Sequence, residues 1–514
     1  MVFDPSGQAA QKGIGGAASV GAAADCAAAG WAKAAPRIAS GARTLDVRIR
    51  AKSRNTQHKD EIMTSLRALA LGILGIFCAG ACGPAAARAA DFQLCADAAD
   101  EDSYDGNDFL MLRQGLDGWL FRDRADFRVL KPLEDDIAAG IAELAAALKQ
   151  RGTELVIVVP PTRGIAAADK VDRADPAQAE FDLAAATDAY RARLQALRAA
   201  GAIVPDILAA NGKLGADFFL KRDTHWSAEG ARVSAQAVAA ALAQSKAYAA
   251  IPKHPFVTEA AGDEEAAERM GDAAEKLCDI EITPQRANLY RTVPAGAADA
   301  DALLGETAAP PVVLVGTSFS HRDDGDSNFA GFLEESLSAD VLNAAVSGGG
   351  ADASIVAYLS SRDFLAAPPA ILIWEFPAYA DLPEDMFYRA LGALNGICAK
   401  DRVVERNEIA AKKGKREVFS WAKGEIASSE PFYLQIDIVD AELRKFALRA
   451  RDGKGKTRSV WFDVSRLAPE GTRHFFTNLP NDRGNGLTRI DLDMKQGDGG
   501  AVTVTLCRRP DRPS

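Results

Sequence analysis

The sequence is poor in histidine, lacks zinc-type cysteine spacing, and contains no long hydrophobic run. Four of its five histidines follow residue 90, so any site built on imidazole has few choices. No two of the seven cysteines show the C-x-x-C spacing of a zinc site, and we expect neither a metal nor a cofactor. The apolar run from Ala68 to Cys82 is shorter than the roughly 18 residues that a membrane span needs.

The first 89 residues resemble a leader more than a domain. Residues 1–62 are rich in Ala, Gly and Arg without periodicity. We interpret them as a doubtful extension that is not translated, with Met63 as the true start, and a disordered extension is the alternative. A charged start at Met63, the apolar run and the small residues Ala87-Arg88-Ala89 predict a secretory signal peptide over 63–89. We therefore expect export to the periplasm and a mature chain that begins near Ala90.

Cysteine usage agrees with export to an oxidising compartment. Four cysteines remain after the predicted leader, and four cysteines allow three disulfide connectivities. Cys398 and Cys507 bracket the C-terminal segment and would close it as a unit, so we predict Cys398–Cys507 together with Cys95–Cys278. Free buried thiols are the alternative.

The order of the predicted elements divides the mature chain into two domains. In residues 90–395, short apolar strands such as 154–159, 202–204 and 312–315 alternate with helices, which predicts an α/β domain with a parallel sheet flanked by helices. The segment 252–310 is rich in Pro, Asp and Glu, and we expect it to be irregular. From residue 396 to 514 several short strands follow one another, the last two at 490–494 and 502–506, which predicts a small all-β sandwich.

The two predicted domains differ in charge. Residues 90–395 contain 26 Lys and Arg against 49 Asp and Glu, whereas residues 396–514 contain 23 against 17. A basic end domain on an acidic body points to an anionic partner, and we expect no nucleic acid. Arg458, Trp461 and Arg473 offer ring faces and guanidinium groups suited to an acidic sugar polymer. The alternative is that aromatic residues in alternating strands belong to the core.

A candidate nucleophile follows the apolar strand predicted at Val312–Val315. The strand breaks at Gly316-Thr317-Ser318 and presents a serine at its carboxyl end, where functional groups of α/β sheets collect. Many buried strands end in Gly-Thr-Ser merely to turn. The motif lacks the last glycine of G-x-S-x-G, so an α/β-hydrolase elbow is excluded.

A nucleophilic serine needs a base and a group that orients it. His225 has Asp223 two residues away in a loop that enters a helix capped by Ser227, and we prefer it to His321, which directly follows the Ser318 turn. The alternative is a capping loop with a buried histidine. We expect the backbone N–H groups of Ser318 and Gly348 to form an oxyanion hole.

Four stretches together resemble the SGNH-hydrolase-like domain of periplasmic alginate O-acetyltransferases, with a carbohydrate-binding module after it. They are Asp117-Gly-Trp-Leu-Phe121, Asp223-Thr-His225-Trp226, Gly316-Thr-Ser318-Phe-Ser320 and Asn343-Ala-Ala-Val-Ser-Gly348. The resemblance implies an acetyl-serine intermediate with Ser318 as nucleophile, His225 as base and Asp223 as its orienting group. It also implies an acetyl donor relayed from a membrane-bound acyltransferase, an alginate-type export complex as partner, and a monomer.

Two features depart from ordinary SGNH enzymes. Asp223 and His225 are two residues apart instead of three, and Trp374-Glu-Phe-Pro replaces the block that carries an asparagine oxyanion donor. Tyr379 or Arg163 could supply that donor; the alternatives are a packed strand-end aromatic and a solvated loop charge. An esterase that removes acetyl groups, and a non-catalytic polymer-binding subunit, remain the competing functions.

Overall fold

A computed structural model describes most of the chain from Phe92 to Pro510. Within this range the described residues exclude 105–110, 213–216, 297–308, 322–326, 423–424, 428, 430, 439–442, 464–472, 481 and 483. The predicted extension and signal peptide at 1–62 and 63–89 lie outside the described residues. None of the helices described is long and apolar enough to cross a membrane.

The described residues form fourteen strands and thirteen α-helices. The strands are β1 (Leu112–Gln114), β2 (Leu120–Arg122), β3 (Glu154–Val158), β4 (Phe256–Glu265), β5 (Arg286–Pro294), β6 (Val312–Val315), β7 (Val341–Asn343), β8 (Ile371–Glu375), β9 (Val403–Ser420), β10 (Phe432–Ile438), β11 (Lys445–Asp452), β12 (Thr457–Asp463), β13 (His474–Asn478) and β14 (Leu487–Arg508). The helices are α1 (Asp123–Asp126), α2 (Asp135–Lys149), α3 (Arg163–Ala166), α4 (Pro176–Ala179), α5 (Leu183–Ala199), α6 (Ile207–Asn211), α7 (Ala228–Leu242), α8 (Lys246–Ala250), α9 (Arg269–Cys278), α10 (Phe329–Leu337), α11 (Ala353–Leu359), α12 (Arg362–Ala366) and α13 (Glu384–Ala393).

A four-stranded parallel sheet in the order β3-β8-β6-β7 organises the first domain. Its central strands are short apolar runs because both faces are covered. Alternate residues of β6, such as Val313 and Leu314, point to opposite faces. One face packs against α2, α5, α11 and α13, and the other against α7 and α10. The predicted α/β fold is confirmed.

Two sequence expectations for this domain are wrong in detail. The strand expected at 202–204 is reduced to a single bridge between Ile203 and Val156. The segment expected to be irregular, 252–310, contains the antiparallel pair β4–β5 with α9 between them. Most side chains of β4 are exposed, so its sequence lacks the apolar alternation that predicts a strand.

The end domain is one six-stranded antiparallel sheet that folds on itself. β14 pairs with β11 through Met494 and with β10 from Val502 onward, and β9 pairs with it on its other edge. Bulges between Met494 and Ala501 mark the point where the strand changes partner. Apolar side chains of both halves share one core, which confirms the predicted sandwich. The two strands expected at 490–494 and 502–506 are parts of one strand.

Both predicted disulfides are present. Cys95 is bonded to Cys278 at the end of α9, and Cys398 is bonded to Cys507 in β14. The second bond ties the segment after α13 to the last strand of the end domain. The boundary between residues 395 and 396 stays a prediction.

The contact of α13 with the end domain leaves no space for an extra atom at Gly392. A Cβ at this position would lie 2.5–2.6 Å from backbone atoms of Thr477 in β13. The atoms in the way belong to the backbone and cannot move aside as a side chain could, so the close packing of α13 on β13 depends on glycine.

We expect Gly392→Ala to lower the free energy of unfolding by roughly 1–3 kcal/mol, because the added methyl group separates α13 from β13. Denaturant titration of the purified protein measures it. The control is Gly212→Ala, since a Cβ there meets only one atom at 3.8 Å and φ is −60°. Equal stability of the two variants would contradict the role given to this contact.

Candidate active site

Ser318 lies where β6 ends, at the carboxyl edge of the parallel sheet. From Val312 to Ser320 it is the one residue that is not buried. Its Oγ is 2.8 Å from Nε2 of His225. Within the described part of the chain, the backbone N–H of Ser318 donates to no other group, so it can serve a developing oxyanion.

His225 and Asp223 come from the loop that precedes α7. Ser227 caps α7 by accepting a hydrogen bond from the N–H of Gly230, as its position in the sequence predicts. Nδ1 of His225 is 2.5 Å from Oδ1 of Asp223, which also accepts the backbone N–H of His225. The indole of Trp226 donates to the carbonyl of Phe319 and so joins this loop to the serine turn.

Asp223 is fully buried, and its surroundings favour the charged carboxylate. Burial alone would raise the pKa of Asp223, but the hydrogen bond and charge of His225 and the backbone N–H of Arg269 lower it well below its usual range. Arg269 is the first residue of α9, so its N–H has no acceptor within the helix and can donate to Asp223. The helix that the sequence did not predict therefore holds the orienting carboxylate.

Arg163 is a buried clamp and not the solvated loop charge that was the alternative to an oxyanion donor. Its four Nη hydrogen bonds, all of 2.8 Å, go to backbone carbonyls of Leu120, Leu220, Lys221 and Asp223. Only 1% of the residue is exposed. Burial lowers the pKa of Arg163 to about 10, so the guanidinium remains charged at neutral pH. It fixes the loop that carries Asp223 and has no donor left on either Nη for an oxyanion.

Tyr379 is partly buried and lies against the buried pair of Arg122 and Asp126. Its ring lies under the guanidinium of Arg122, 4.4 Å from it, and Arg122 is bonded through Nη2 to Asp126 at 2.8 Å. Burial raises the pKa of Tyr379, partly offset by the charge and hydrogen bond of Arg122. The phenol thus stays neutral and is already engaged by Arg122. Its role toward substrate stays a prediction.

Glu375 is a functional candidate to which the sequence analysis assigned no role. Its buried carboxylate accepts the N–H and hydroxyl of Thr317 and the hydroxyl of Ser320. Burial raises the pKa of Glu375 to about 7, although these hydrogen bonds lower it. A Cβ at Gly316 would lie 2.7 Å from Oε2, so glycine is required for this approach. The sequence signal that could have identified Glu375 is its position directly after four apolar strand residues.

Gly348 is in the exposed loop that follows β7, at a φ of +73°. Its part in an oxyanion hole stays a prediction. In the same loop region, Asn343 donates to the carbonyl of Ser320 and thereby supports the serine turn. The described residues contain no group of three or more His, Cys, Asp or Glu placed to hold a metal ion.

The three residues chosen in the end domain have different surroundings. Arg458 is ion-paired with Glu384 of α13 at 2.6 Å, so it joins the two domains. Trp461 is half-buried, with the guanidinium of Arg449 and the ammonium of Lys495 within 6 Å of its ring centre. Arg473 is exposed just before β13. Of the three, Trp461 has the surroundings best suited to a sugar ring with a carboxylate.

The chain resembles known proteins over most of its length. A family model described as "SGNH hydrolase-like domain, acetyltransferase AlgX" matches residues 112–378. The alginate biosynthesis protein AlgX of Azotobacter vinelandii is 33% identical over 81% of this chain and 88% of its own. The probable alginate O-acetylase AlgJ of Pseudomonas aeruginosa is 32% identical over 53% of this chain and 71% of its own. The solved structure of Pseudomonas aeruginosa AlgX matches with a TM-score of 0.69 and 29% identity, covering 81% of this chain and all of that one.

We expect Arg163→Lys to lower the free energy of unfolding by roughly 2–3 kcal/mol and to reduce the reactivity of Ser318. One ammonium offers three donors and cannot reach four carbonyls, so the Asp223 loop loses charge-assisted hydrogen bonds. Denaturant titration and the initial rate of ester cleavage measure the two effects. Arg191→Lys is the control, because Arg191 is 58% exposed and 3.8 Å from its partner. Wild-type values for both variants would contradict the clamp.

Proposed function

Because the chain belongs to the family of the SGNH hydrolase-like acetyltransferase AlgX, we propose that it is a periplasmic O-acetyltransferase acting on an anionic exopolysaccharide. The acceptors are hydroxyl groups of mannuronate residues in alginate. The observation that carries this proposal is the hydrogen-bonded series Ser318, His225 and Asp223 at one edge of the sheet. The names of the relatives and the ring of Trp461 with the ammonium of Lys495 beside it support the choice of acceptor.

The first half-reaction forms an acetyl-serine. The Oγ of Ser318 attacks the carbonyl carbon of the donor ester while Nε2 of His225 takes the hydroxyl proton. The backbone N–H of Ser318 faces the developing oxyanion, and the carboxylate of Asp223 stabilises the imidazolium through Nδ1. When the carbonyl re-forms, the donor's alkoxide leaves with the proton from His225.

The second half-reaction runs the same steps in reverse with a sugar hydroxyl. His225 takes the hydroxyl proton, the sugar oxygen attacks the acetyl carbon, and Ser318 leaves as its alcohol with the proton returned. Water would give hydrolysis at the same intermediate, so exclusion of water decides between transfer and esterase activity. The acetyl donor is relayed from a membrane-bound acyltransferase, and the polymer is delivered by an alginate-type export complex.

We expect Ser318→Ala and His225→Ala to abolish acetyl transfer to short mannuronate oligomers, with rates reduced by roughly 10³ or more. A soluble acetyl ester serves as donor, and mass spectrometry detects sugars that carry one acetyl group in place of a hydrogen. His321→Ala is the matched control. This partly exposed histidine follows the same turn, and in the described part of the chain its side chain forms no hydrogen bond with Ser318.

Each outcome separates the competing functions. Acetylated sugar that depends on Ser318 supports the transferase. Ester cleavage without acetylated sugar would instead identify an esterase. Equal activity of the wild-type protein and Ser318→Ala would leave a polymer-binding subunit as the remaining function.

We expect Trp461→Ala to weaken binding of polymannuronate about tenfold, because the ring face and the neighbouring ammonium of Lys495 act together on an acidic sugar. Lys495→Ala should weaken binding less and reduce its salt dependence. Retention on an affinity gel at two salt concentrations measures both. Lys246→Ala removes the same charge from an exposed position on the catalytic domain and serves as control. Equal retention of all three variants would place the polymer elsewhere.

A further inference from the structure

The turn that carries Ser318 is held by hydrogen bonds on both sides of this residue. Before it, the N–H of Thr317 donates to Glu375 Oε2 at 2.9 Å, and the hydroxyl of Thr317 donates to the same carboxylate at 3.1 Å. After it, the hydroxyl of Ser320 donates to Oε2 at 2.9 Å. Glu375 therefore holds the chain on both sides of the nucleophile.

The same carboxylate also acts on the residue between these two anchors. The N–H of Phe319 donates to Oγ1 of Thr317 at 3.3 Å, and that oxygen's own proton points to Glu375. The carbonyls of the turn are fixed independently: Trp226 donates to Phe319 at 2.8 Å and Asn343 donates to Ser320 at 2.8 Å. Glu375 accepts the N–H of Thr317 and the hydroxyl groups of Thr317 and Ser320, while Trp226 and Asn343 donate to two carbonyls of the turn.

A contribution to stability does not explain a carboxylate in this position. Glu375 is fully buried, and within the described residues it forms no salt bridge. A buried carboxylate without a cation is costly unless hydrogen bonds replace its hydration. The hydrogen bonds that Glu375 receives come from the Thr317 N–H and from hydroxyl groups, all of which belong to the serine turn. The buried carboxylate of Glu375 therefore serves to fix the direction of these hydrogen bonds.

We propose that Glu375 is a positioning residue for the nucleophile, which sets the distance and direction from Ser318 Oγ to His225 Nε2 by fixing Thr317 and Ser320. It does not touch substrate. This inference rests on the proposed function of Ser318. Displacement of a reacting atom by about 1 Å can lower the rate roughly a hundredfold. Loss of the hydrogen bonds that Glu375 accepts from Thr317 and Ser320 should produce an effect of this size.

The test compares Glu375→Ala, Glu375→Gln and Ser320→Ala with the wild-type protein. We expect Glu375→Ala to lower kcat for a soluble acetyl ester about 10²-fold with KM changed less than about twofold. Glu375→Gln keeps the shape and one acceptor oxygen, so it should recover part of the rate. Ser320→Ala removes one of the bonds and should have the smallest effect.

A second readout follows the serine itself. Phenylmethylsulfonyl fluoride reacts when Ser318 Oγ displaces fluoride from sulfur, with the proton passing to His225. We expect the rate of labelling, read by mass spectrometry, to fall in parallel with kcat. Glu334→Gln is the matched control: burial raises the pKa of Glu334 to about 7 as well, but this residue lies on α10, away from the turn.

Labelling of Glu375→Ala at the wild-type rate would overturn the inference and leave the proposed function standing. If Glu375→Ala does not fold in thermal unfolding measurements, Glu375→Gln and Thr317→Val decide in the same way. A wild-type protein that neither reacts with the reagent nor transfers acetyl would overturn both the inference and the proposed function.

Discussion

The structure around the site depends on the need to satisfy buried backbone groups while one hydroxyl stays accessible. Ser318 is partly exposed, but the residues on both sides of it and the loop that carries Asp223 are buried, where each N–H and carbonyl needs a partner. Arg163 supplies donors to four carbonyls, and Glu375 supplies an acceptor for the serine turn. The reactive group is thus held by residues that do not react.

The buried charges around the Asp223 loop lie close to groups of opposite sign. Arg163 and Arg122 lie on either side of Asp126, and Asp223 is compensated by His225 and by the N-terminus of α9. Charge-assisted hydrogen bonds are shorter and stronger than neutral ones, which suits a loop that must not move. The same arrangement makes single substitutions costly, because removal of one partner leaves an uncompensated buried charge.

In the proposed function, the first domain supplies the reacting centre and the end domain supplies a binding surface. The parallel sheet ends in short turns that present single side chains, whereas the bent antiparallel sheet offers a broad outer face on which Trp461 lies beside Arg449 and Lys495. Helix α13 packs against both, and the ion pair of Glu384 with Arg458 crosses between them. These contacts join the two domains through α13.

The sequence by itself determined the α/β class, the end domain, both disulfides and the grouping of Ser318 with His225, because apolar periodicity and the few available cysteines and histidines leave little choice. Only the tertiary structure decided where Arg163 lies, since a loop arginine looks the same in sequence whether solvated or buried. It also decided that 252–310 contains α9 and an exposed strand pair, whose polar sequence shows no apolar alternation. Glu375 contacts Ser320, which is 55 positions away, and Arg458 contacts Glu384, which is 74 positions away. No local sequence pattern reveals such contacts.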